Sequence, residues 1–250
     1  MLLNKCRFFH SLIILCFHIN LFPPDFIMIF TLTLLACTPD KSTDSAEPQP
    51  KPVLAEITLL DAIQGDTMGN VTLTSNLDSQ TTNEQGVATL LVDEEKPITI
   101  EATAPGYVPH FLELHSGRVN YSAVSLMASQ SAAEQIFQFL SLTQDTNKGI
   151  VIVALDNPDL TPAVGAQASV DVESDPPFIL TSFAPEYGNE VLPNAGGFVA
   201  FPNVAAGTVN IQVTSPSDST CIQHPAGETE SATVEIQSGT VHVVFFTCSP

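Results

Sequence analysis

Histidine is the residue in this sequence whose side chain best suits an acid, a base or a metal ligand at neutral pH. Four of the six histidines lie beyond residue 37, at His110, His115, His224 and His242. The five-residue spacing of His110 and His115 puts them on opposite faces of a strand. His224 lies in a predicted loop, and His242 is interpreted as a residue of the last strand. No metalloprotease, nucleophile-elbow or phosphate-loop spacing occurs, so we predict no catalytic, cofactor-binding or metal site.

Sugar binding through stacking on aromatic side chains is a second possible function of the sequence. Carbohydrate-binding modules occur among proteins of the β-sandwich architecture that the strand pattern described below predicts. The chain has no tryptophan and only three tyrosines. Tyr187, in a predicted long loop over 174–196, is the better candidate for a ligand contact. Tyr107 is the second candidate, although its place in an Ala-Pro-Gly-Tyr turn also suits packing at the end of a sandwich.

Cys37 stands at the end of an apolar run from Ile27 to Leu35 and precedes a polar, proline-rich stretch. The sequence Leu34-Leu35-Ala36-Cys37 resembles the lipobox of bacterial lipoproteins. The resemblance implies cleavage before Cys37 and lipid on its thiol. It also implies a membrane-anchored protein of the cell envelope, with the outer membrane favoured because Thr38 carries no retention charge.

The segment before Cys37 has an unusual form for an export signal. Pro23-Pro24-Asp25 interrupts its apolar residues, and a helix in lipid does not readily cross such a sequence. Translation from Met28, an atypical signal over residues 1–36, and an uncleaved anchor without lipid are the three interpretations. In each case these residues are set apart from the fold.

The remaining cysteines form an even pair. Cys6 and Cys16 lie in the export segment and Cys37 is the lipidation candidate, which leaves Cys221 and Cys248. In an exported chain such a pair predicts a disulfide. A metal pair and two free thiols are the alternatives, although the wide spacing without a CxxC motif disfavours a metal.

The charge of the chain limits its partners. It has 7 basic and 27 acidic residues, a formal net charge of −20. Nucleic acid is excluded as a partner, because its binding depends on Lys and Arg. Electrostatic docking on anionic lipid is excluded for the same reason. The predicted partners are therefore the membrane, through the lipid anchor, and an envelope protein or a glycan.

Composition and patterning divide the chain into five segments. Residues 1–36 are the signal segment, and 37–52 form a disordered tether that is too polar and proline-rich to bury a core. Period-two alternation then predicts strands over 55–60, 70–74, 87–92, 97–103, 108–114 and 119–126. The first β-sandwich therefore covers 53–127, a helical linker covers 128–148, and a second sandwich covers 149–250.

The second half of the chain repeats the first. Residues 86–105 align without gaps on residues 197–216, and 112–119 align on 234–241. Eleven additional residues between the two blocks predict a longer loop around Cys221. Between the halves, Ser131 and Glu134 have capping-box spacing and open a helix predicted over 131–141.

The segment 82–90 followed by 98–107 resembles the carboxypeptidase regulatory-like domain. Gly86 matches the turn glycine of that family, and Ala104-Pro105-Gly106-Tyr107 matches its A-x-G-Y element. Residues 197–207 follow the same pattern, although Thr214-Ser215-Pro216-Ser217 replaces the second element. The resemblance implies an all-β fold of two tandem Greek-key β-sandwich modules, transthyretin-like and joined by a short helix. Such motifs specify fold rather than activity.

The predicted function is therefore that of a lipid-anchored cell-envelope protein. Its non-catalytic β-sandwich modules would serve as binding, adaptor or spacer domains. The alternative is a carbohydrate- or peptidoglycan-binding lipoprotein. An enzyme is a distant third hypothesis, and we predict that the chain is not one.

Overall fold

The computed structural model describes residues 51–181 and 184–250. The predicted signal segment, Cys37 and all of the tether except its last two residues lie outside the described residues. Lys51 and Pro52 are exposed and precede the first strand.

Strands of the first half form where apolar and polar residues alternate, because successive side chains of a strand point to opposite faces. In the segment 97–103, for example, Ile98, Ile100 and Ala102 are buried while Thr99 and Thr103 are exposed. The strands of this half are β1 Val53–Asp61, β2 Thr72–Thr74, β3 Ser79–Thr81, β4 Val87–Val92, β5 Pro97–Thr103, β6 His110–His115 and β7 Tyr121–Met127. The short strand β3 was not predicted from the sequence.

One helix, α1 Gln130–Phe139, follows β7. Its N-cap is Ser129, whose Oγ accepts a hydrogen bond of 3.2 Å from the Ala132 backbone N–H. The predicted capping box at Ser131 and Glu134 was wrong, because the helix begins one residue earlier and is capped by the preceding serine. The apolar stripe was located correctly, since Ala133 and Phe137 are buried.

The second half contains nine strands. They are β8 Lys148–Asp156, β9 Gln167–Val170, β10 Phe178–Thr181, β11 Pro185–Tyr187, β12 Ala195–Ala205, β13 Gly207–Thr214, β14 Thr220–Gln223, β15 Ser231–Ile236 and β16 Val241–Ser249. Two segments expected as loops are therefore strands. The segment 174–196 contains the β10–β11 hairpin at the edge of a sheet, and the added residues around Cys221 form β14.

Six strands of each half share the same topology. In the first half, β1 pairs antiparallel with β4 and parallel with β7. In the second half, β8 pairs antiparallel with β12 and parallel with β16. Three further strands of each half correspond in the same way, with the order β6-β5-β2 in one half and β15-β13-β9 in the other, whereas β3, β10, β11 and β14 have no counterparts. This agreement is what the duplication inferred from the sequence requires.

A single sheet of ten strands runs through both halves. Its order is β11-β10-β12-β8-β16-β6-β5-β2-β3, with β14 also paired to β16. The halves join where β16 pairs in parallel with β6, from Val241 opposite His110 to Val244 opposite Glu113. The smaller sheets β4-β1-β7 and β15-β13-β9 complete the two sandwiches.

Strand β16 contributes to both hydrophobic cores. Val241, Val243 and Phe245 belong to the core of the first sandwich. Val244, Phe246 and Cys248 belong to the core of the second. Because successive side chains of a strand point to opposite faces, the two smaller sheets lie on opposite faces of the shared sheet.

The predicted fold class is therefore confirmed as all-β, and residues 51–181 and 184–250 contain two β-sandwiches and one short helix. The proposed division of the described residues at 127 and 149 stays a prediction. The last strand of the second segment also supplies side chains to the first core.

The disulfide predicted between Cys221 and Cys248 is present. The two cysteines face each other directly in the β14–β16 ladder, and both are fully buried. The bond therefore fixes the short strand β14 to the strand on which both cores depend.

Removing this disulfide should destabilise the fold. The bond joins residues 27 positions apart, and closing a loop of this length stabilises by about 3–4 kcal/mol through the entropy of the unfolded chain. We expect the variant Cys221→Ala/Cys248→Ala to lose at least that much unfolding free energy in urea titrations.

Reduction of the wild-type protein should give a similar loss, while the double-alanine variant should not respond to reductant. An unchanged transition of the wild type after complete reduction would contradict the stabilising role.

Candidate functional site

His242 of β16 lies at the joint between the halves, where it is almost fully buried. Its Nδ1–H donates to Glu113 Oε1 of β6 at 3.0 Å, and its Nε2 accepts from the Gln237 backbone N–H at 3.2 Å. The ring stacks on Phe111 with centroids 4.9 Å apart. Nδ1 therefore holds β16 against β6, Nε2 holds the turn between β15 and β16, and neither nitrogen is directed at a substrate.

His110, directly opposite Val241 in the same ladder, is also committed to structural contacts. Its Nδ1–H donates to the Val108 carbonyl at 2.7 Å, and its Nε2 accepts from the Ala128 N–H at 3.3 Å. Burial lowers the pKa of His110 to about 4, so the ring is neutral at neutral pH.

His224 connects the end of β14 to the edge of β7. Its Nε2–H donates to the Ser122 carbonyl at 3.0 Å, and its Nδ1 accepts from the Thr247 hydroxyl at 2.7 Å. Burial lowers the pKa of His224 below its ordinary value. The sequence placed these three histidines on separate segments, but the tertiary structure uses all three at the joint.

An apolar groove of about 620 Å³ opens beside this joint. The floor of the groove is formed by the ten-stranded sheet, on the face next to the outer edge of β7. The floor includes Ile150, Ile152 and Ala154 of β8, together with Phe198 and Ala200 of β12. Grooves of this volume, apolar with a few polar groups, are typical of ligand sites.

The two sides of the groove are different kinds of structure. One side is the edge of β7, with Ser122, Val124 and Leu126. The other includes Ile136 and Phe137 of α1, which packs on the same face of the shared sheet. The groove is therefore bordered by a strand edge on one side and by apolar helix side chains on the other.

Asp156 at the end of β8 is the carboxylate of this groove. Burial raises the pKa of Asp156 to about 7, because no charge or hydrogen bond from the described residues offsets the loss of water. The carboxylate lies against Gly197, where a Cβ atom would come within 2.1 Å of Asp156 Oδ1. A glycine at this position therefore allows Asp156 to lie in the groove.

Ser125 also borders the groove, and its Oγ is a buried hydroxyl without a hydrogen-bond partner among the described residues. The side chain is only 3% exposed. A buried hydroxyl that lacks a partner costs free energy. A ligand in the groove would supply such a partner.

The two tyrosines predicted as ligand contacts are not close together. Tyr107 forms a bridge with Ser129 at the N-terminus of α1, and its hydroxyl donates to Asp61 Oδ2 at 2.7 Å. Tyr187 in β11 donates to the carbonyl of Leu140 at the C-terminus of α1, at 2.6 Å. A ten-residue helix is about 15 Å long, so the two residues do not form one site.

The exposures of the tyrosines also differ. Tyr187 is 54% exposed, while Tyr107 is half-buried and packs against the first core. A role for either ring in ligand binding stays a prediction. Cys37, the predicted lipidation site, lies outside the described residues.

No group of three or more His, Cys, Asp or Glu residues in the described ranges could hold a metal ion. In the same ranges, no helix is long and apolar enough to cross a membrane.

The groove was missed in the sequence, although two signals for it exist. The segments Gly149-Ile150-Val151-Ile152-Val153-Ala154-Leu155 and Val243-Val244-Phe245-Phe246 are continuous apolar runs rather than alternating ones. Such runs are typical of strands that bury both faces. They indicate that the outer face of the second sandwich is covered by something, but not by what.

Comparisons with known proteins do not identify a family. No protein-family model matches this chain, and no curated protein matches it. Solved structures that match over most of the chain include the Bacillus anthracis TIE protein, at 15% identity and a TM-score of 0.27. That match covers 80% of this chain but only 34% of the TIE protein.

Two further matches are pilins. The minor pilin GBS52 of Streptococcus agalactiae has 10% identity and a TM-score of 0.26, over 79% of this chain and 96% of the pilin. A mutant of the shaft pilin SpaA of Lactobacillus rhamnosus GG has 11% identity and a TM-score of 0.25, over 80% and 99%. Scores this low support no conclusion about this chain, so its function is argued from its own residues.

The raised pKa of Asp156 gives a testable pH dependence. The folded carboxyl keeps its proton up to about pH 7, while the unfolded carboxyl loses it near pH 4, so this group lowers stability as the pH rises between those values. Asn cannot ionise, so Asp156→Asn should gain about 2–4 kcal/mol relative to wild type between about pH 4 and pH 8.

Chemical denaturation across this pH range measures the effect. The matched control is Asp171→Asn, because hydrogen bonds from Asn210 lower the pKa of the exposed Asp171. This control should show no relative gain at high pH. A constant difference between Asp156→Asn and wild type at all pH values would show that Asp156 has an ordinary pKa.

Proposed function

We propose that this chain is a lipid-anchored protein of the cell envelope whose two β-sandwiches form one rigid, non-catalytic scaffold for binding or spacing other envelope components. The observation that carries this proposal is the shared strand β16. Its side chains belong to both cores, and it pairs with β8 of one half and β6 of the other.

Rigidity supports an adaptor or spacer role. Two sandwiches joined by a flexible linker change orientation freely, whereas two that share a sheet move only if the hydrogen bonds between β6 and β16 break. The His242–Glu113 hydrogen bond lies in that ladder and is buried. Separating the halves would leave the His242 Nδ1–H and Glu113 Oε1 without this partner, which is costly in an apolar interior.

The chemistry of the described residues supports a non-catalytic role. Histidine is the commonest general acid or base. Here, His110, His224 and His242 each use both ring nitrogens in structural hydrogen bonds. A catalytic histidine would need at least one nitrogen directed at a substrate.

Export and anchoring are supported by two features that lie far apart in the chain. Leu34-Leu35-Ala36-Cys37 matches the lipobox. The disulfide between Cys221 and Cys248 suits an oxidising compartment outside the cytoplasm. Membership of the carboxypeptidase regulatory-like family is part of this proposal, and the shared topology of the two halves is compatible with it.

Lipidation of Cys37 is tested by metabolic labelling with palmitate. We expect the wild-type chain to be labelled and to fractionate with membranes, and Cys37→Ser to lose both the label and the membrane association. Cys221→Ala/Cys248→Ala is the control, because it removes two other cysteines and should keep the label. Equal labelling of Cys37→Ser and wild type would contradict the anchor.

A carbohydrate- or peptidoglycan-binding function is the second candidate, and the exposed ring of Tyr187 favours it. Aromatic side chains provide flat apolar area together with a polar group. If this function is correct, Tyr187→Ala should weaken binding to a glycan retained on an array by about tenfold, which is about 1.4 kcal/mol. Tyr187→Phe should bind as wild type does, because it keeps the ring. An array on which no glycan is retained would argue against this candidate.

A further inference from the structure

We propose that the groove beside β7 binds an extended apolar peptide of a partner protein, which adds to the sheet β4-β1-β7 as a fourth strand. The proposal rests on the proposed binding role, because it specifies how the scaffold recognises a protein. It does not depend on the lipid anchor.

The backbone of β7 is the first observation. β7 is an edge strand that pairs only with β1. The Met127 carbonyl points towards β1 and accepts from the Ala62 N–H, whereas the Ser122 carbonyl points away and accepts from His224. Backbone groups alternate in direction along a strand, so those of Val124 and Leu126 point away from β1 as well.

These outward groups face the groove. In the part of the chain that the structure describes, β7 has no strand on that side. Val124 and Leu126 both border the groove. A row of unpaired N–H and C=O groups is a template for another strand, and main-chain hydrogen bonds provide the affinity when an edge binds a peptide.

The shape of the groove is the second observation. A strand added to β7 would lie about 4.8 Å from it, over the floor formed by β8 and β12. The floor residues on β8 run from Ile150 to Asp156, a length of about 20 Å at the usual rise per residue. Alternate side chains of a bound peptide would contact Ile152, Ala154 and Ala200, while the others would face solvent.

The second half of the chain provides an internal precedent. Because the halves share one topology, β16 corresponds to β7. The outer edge of β16 is occupied by two strands, β6 over its first residues and β14 over its last. In the second half this edge is therefore already paired with other strands, whereas the corresponding edge of β7 is unpaired in the described residues.

A comparison of the two strands explains why the open copy has space. Strands β4 and β12 are aligned with each other in the sequence repeat. Following the residue pairs from β4 through β1 to β7, and from β12 through β8 to β16, matches Val124 to Phe245 and Ser125 to Phe246. Phe246 fills the core of the second sandwich. The smaller Ser125 leaves space in the first, together with a hydroxyl that has no partner.

A second copy of this chain does not fit the groove as well as a partner peptide. The strand that corresponds to β6 is β15, whose outward residues include Thr233 and Glu235. If β15 of a second copy paired with β7 as β6 pairs with β16, Glu235 would face the apolar floor of the groove, which already holds Asp156. Both copies also carry a net charge of −20 and repel each other. The chemistry instead favours a peptide with alternating apolar residues and a Lys or Arg near Asp156.

The test uses the purified full chain without detergent, which would compete for the groove: in lipid nanodiscs if the chain is lipidated, and in plain buffer if it is not. A displayed library of random dodecapeptides is selected against it. We expect enrichment of sequences with alternating apolar residues, and slower hydrogen exchange at the amides of Val124 and Leu126 when a selected peptide is bound.

Two variants block the groove in different ways. Ala154→Trp fills its floor. Val124→Pro removes an outward N–H, and proline is tolerated on edge strands. Each should weaken peptide binding by about tenfold or more, which is about 1.4 kcal/mol.

The matched controls lie on β4, the opposite edge of the same sheet. Thr89 is exposed on β4. The N–H groups of Val87 and Leu91, two residues before and after it, point away from β1 and donate to Asn83 and Asp78. The Thr89 N–H therefore points away from β1 as well. Thr89→Trp and Thr89→Pro should bind the selected peptides as wild type does.

Three results would overturn the proposal. The first is a library without enriched sequences. The second is enriched peptides that bind the two groove variants as well as wild type. The third is a fluorescent fatty acid that binds the groove in the absence of any peptide selection, which would make it a lipid site. Because none of these results depends on Cys37, a failed lipidation test and a failed peptide test remain distinguishable.

Discussion

Burial of strand β16 on both faces is the constraint on which the rest of the structure depends. One face supplies Val241, Val243 and Phe245 to the first core, and the other supplies Val244, Phe246 and Cys248 to the second. Neither sandwich is complete without this strand, since each loses a row of apolar side chains if the strand is displaced. The ladder to β6 and the disulfide to β14 hold it in place.

This constraint determines what the polar residues near the joint can do. A strand buried on both faces has no water to satisfy a polar side chain, so His242 needs Glu113 and Gln237 as partners. His110 and His224 have partners for the same reason. Residues that resemble catalytic candidates in the sequence therefore hold the strands of the joint together.

The groove follows from the same architecture. The shared sheet extends under both sandwiches, but the sheet β4-β1-β7 has only three strands and covers only part of the face beneath it. Helix α1 covers another part through Ile136, Phe137 and Leu140. What remains between the helix and β7 is an apolar groove with a strand edge on one side, and its polar groups include Asp156 and Ser125.

The sequence by itself determined the longer strands of the first half, the repeat and the disulfide, because these depend on local periodicity and on pairing within one chain, whereas the short strands β3, β10, β11 and β14 lack a clear periodicity. The alternation in 97–103 predicted β5 to the residue, and the remaining even pair of cysteines predicted the bond between Cys221 and Cys248. Only the tertiary structure decided that β6 pairs with β16 and that an edge of β7 is left open. Periodicity states which face of a strand is buried, but it does not state which strand lies beside it, because that choice depends on side chains distant in sequence.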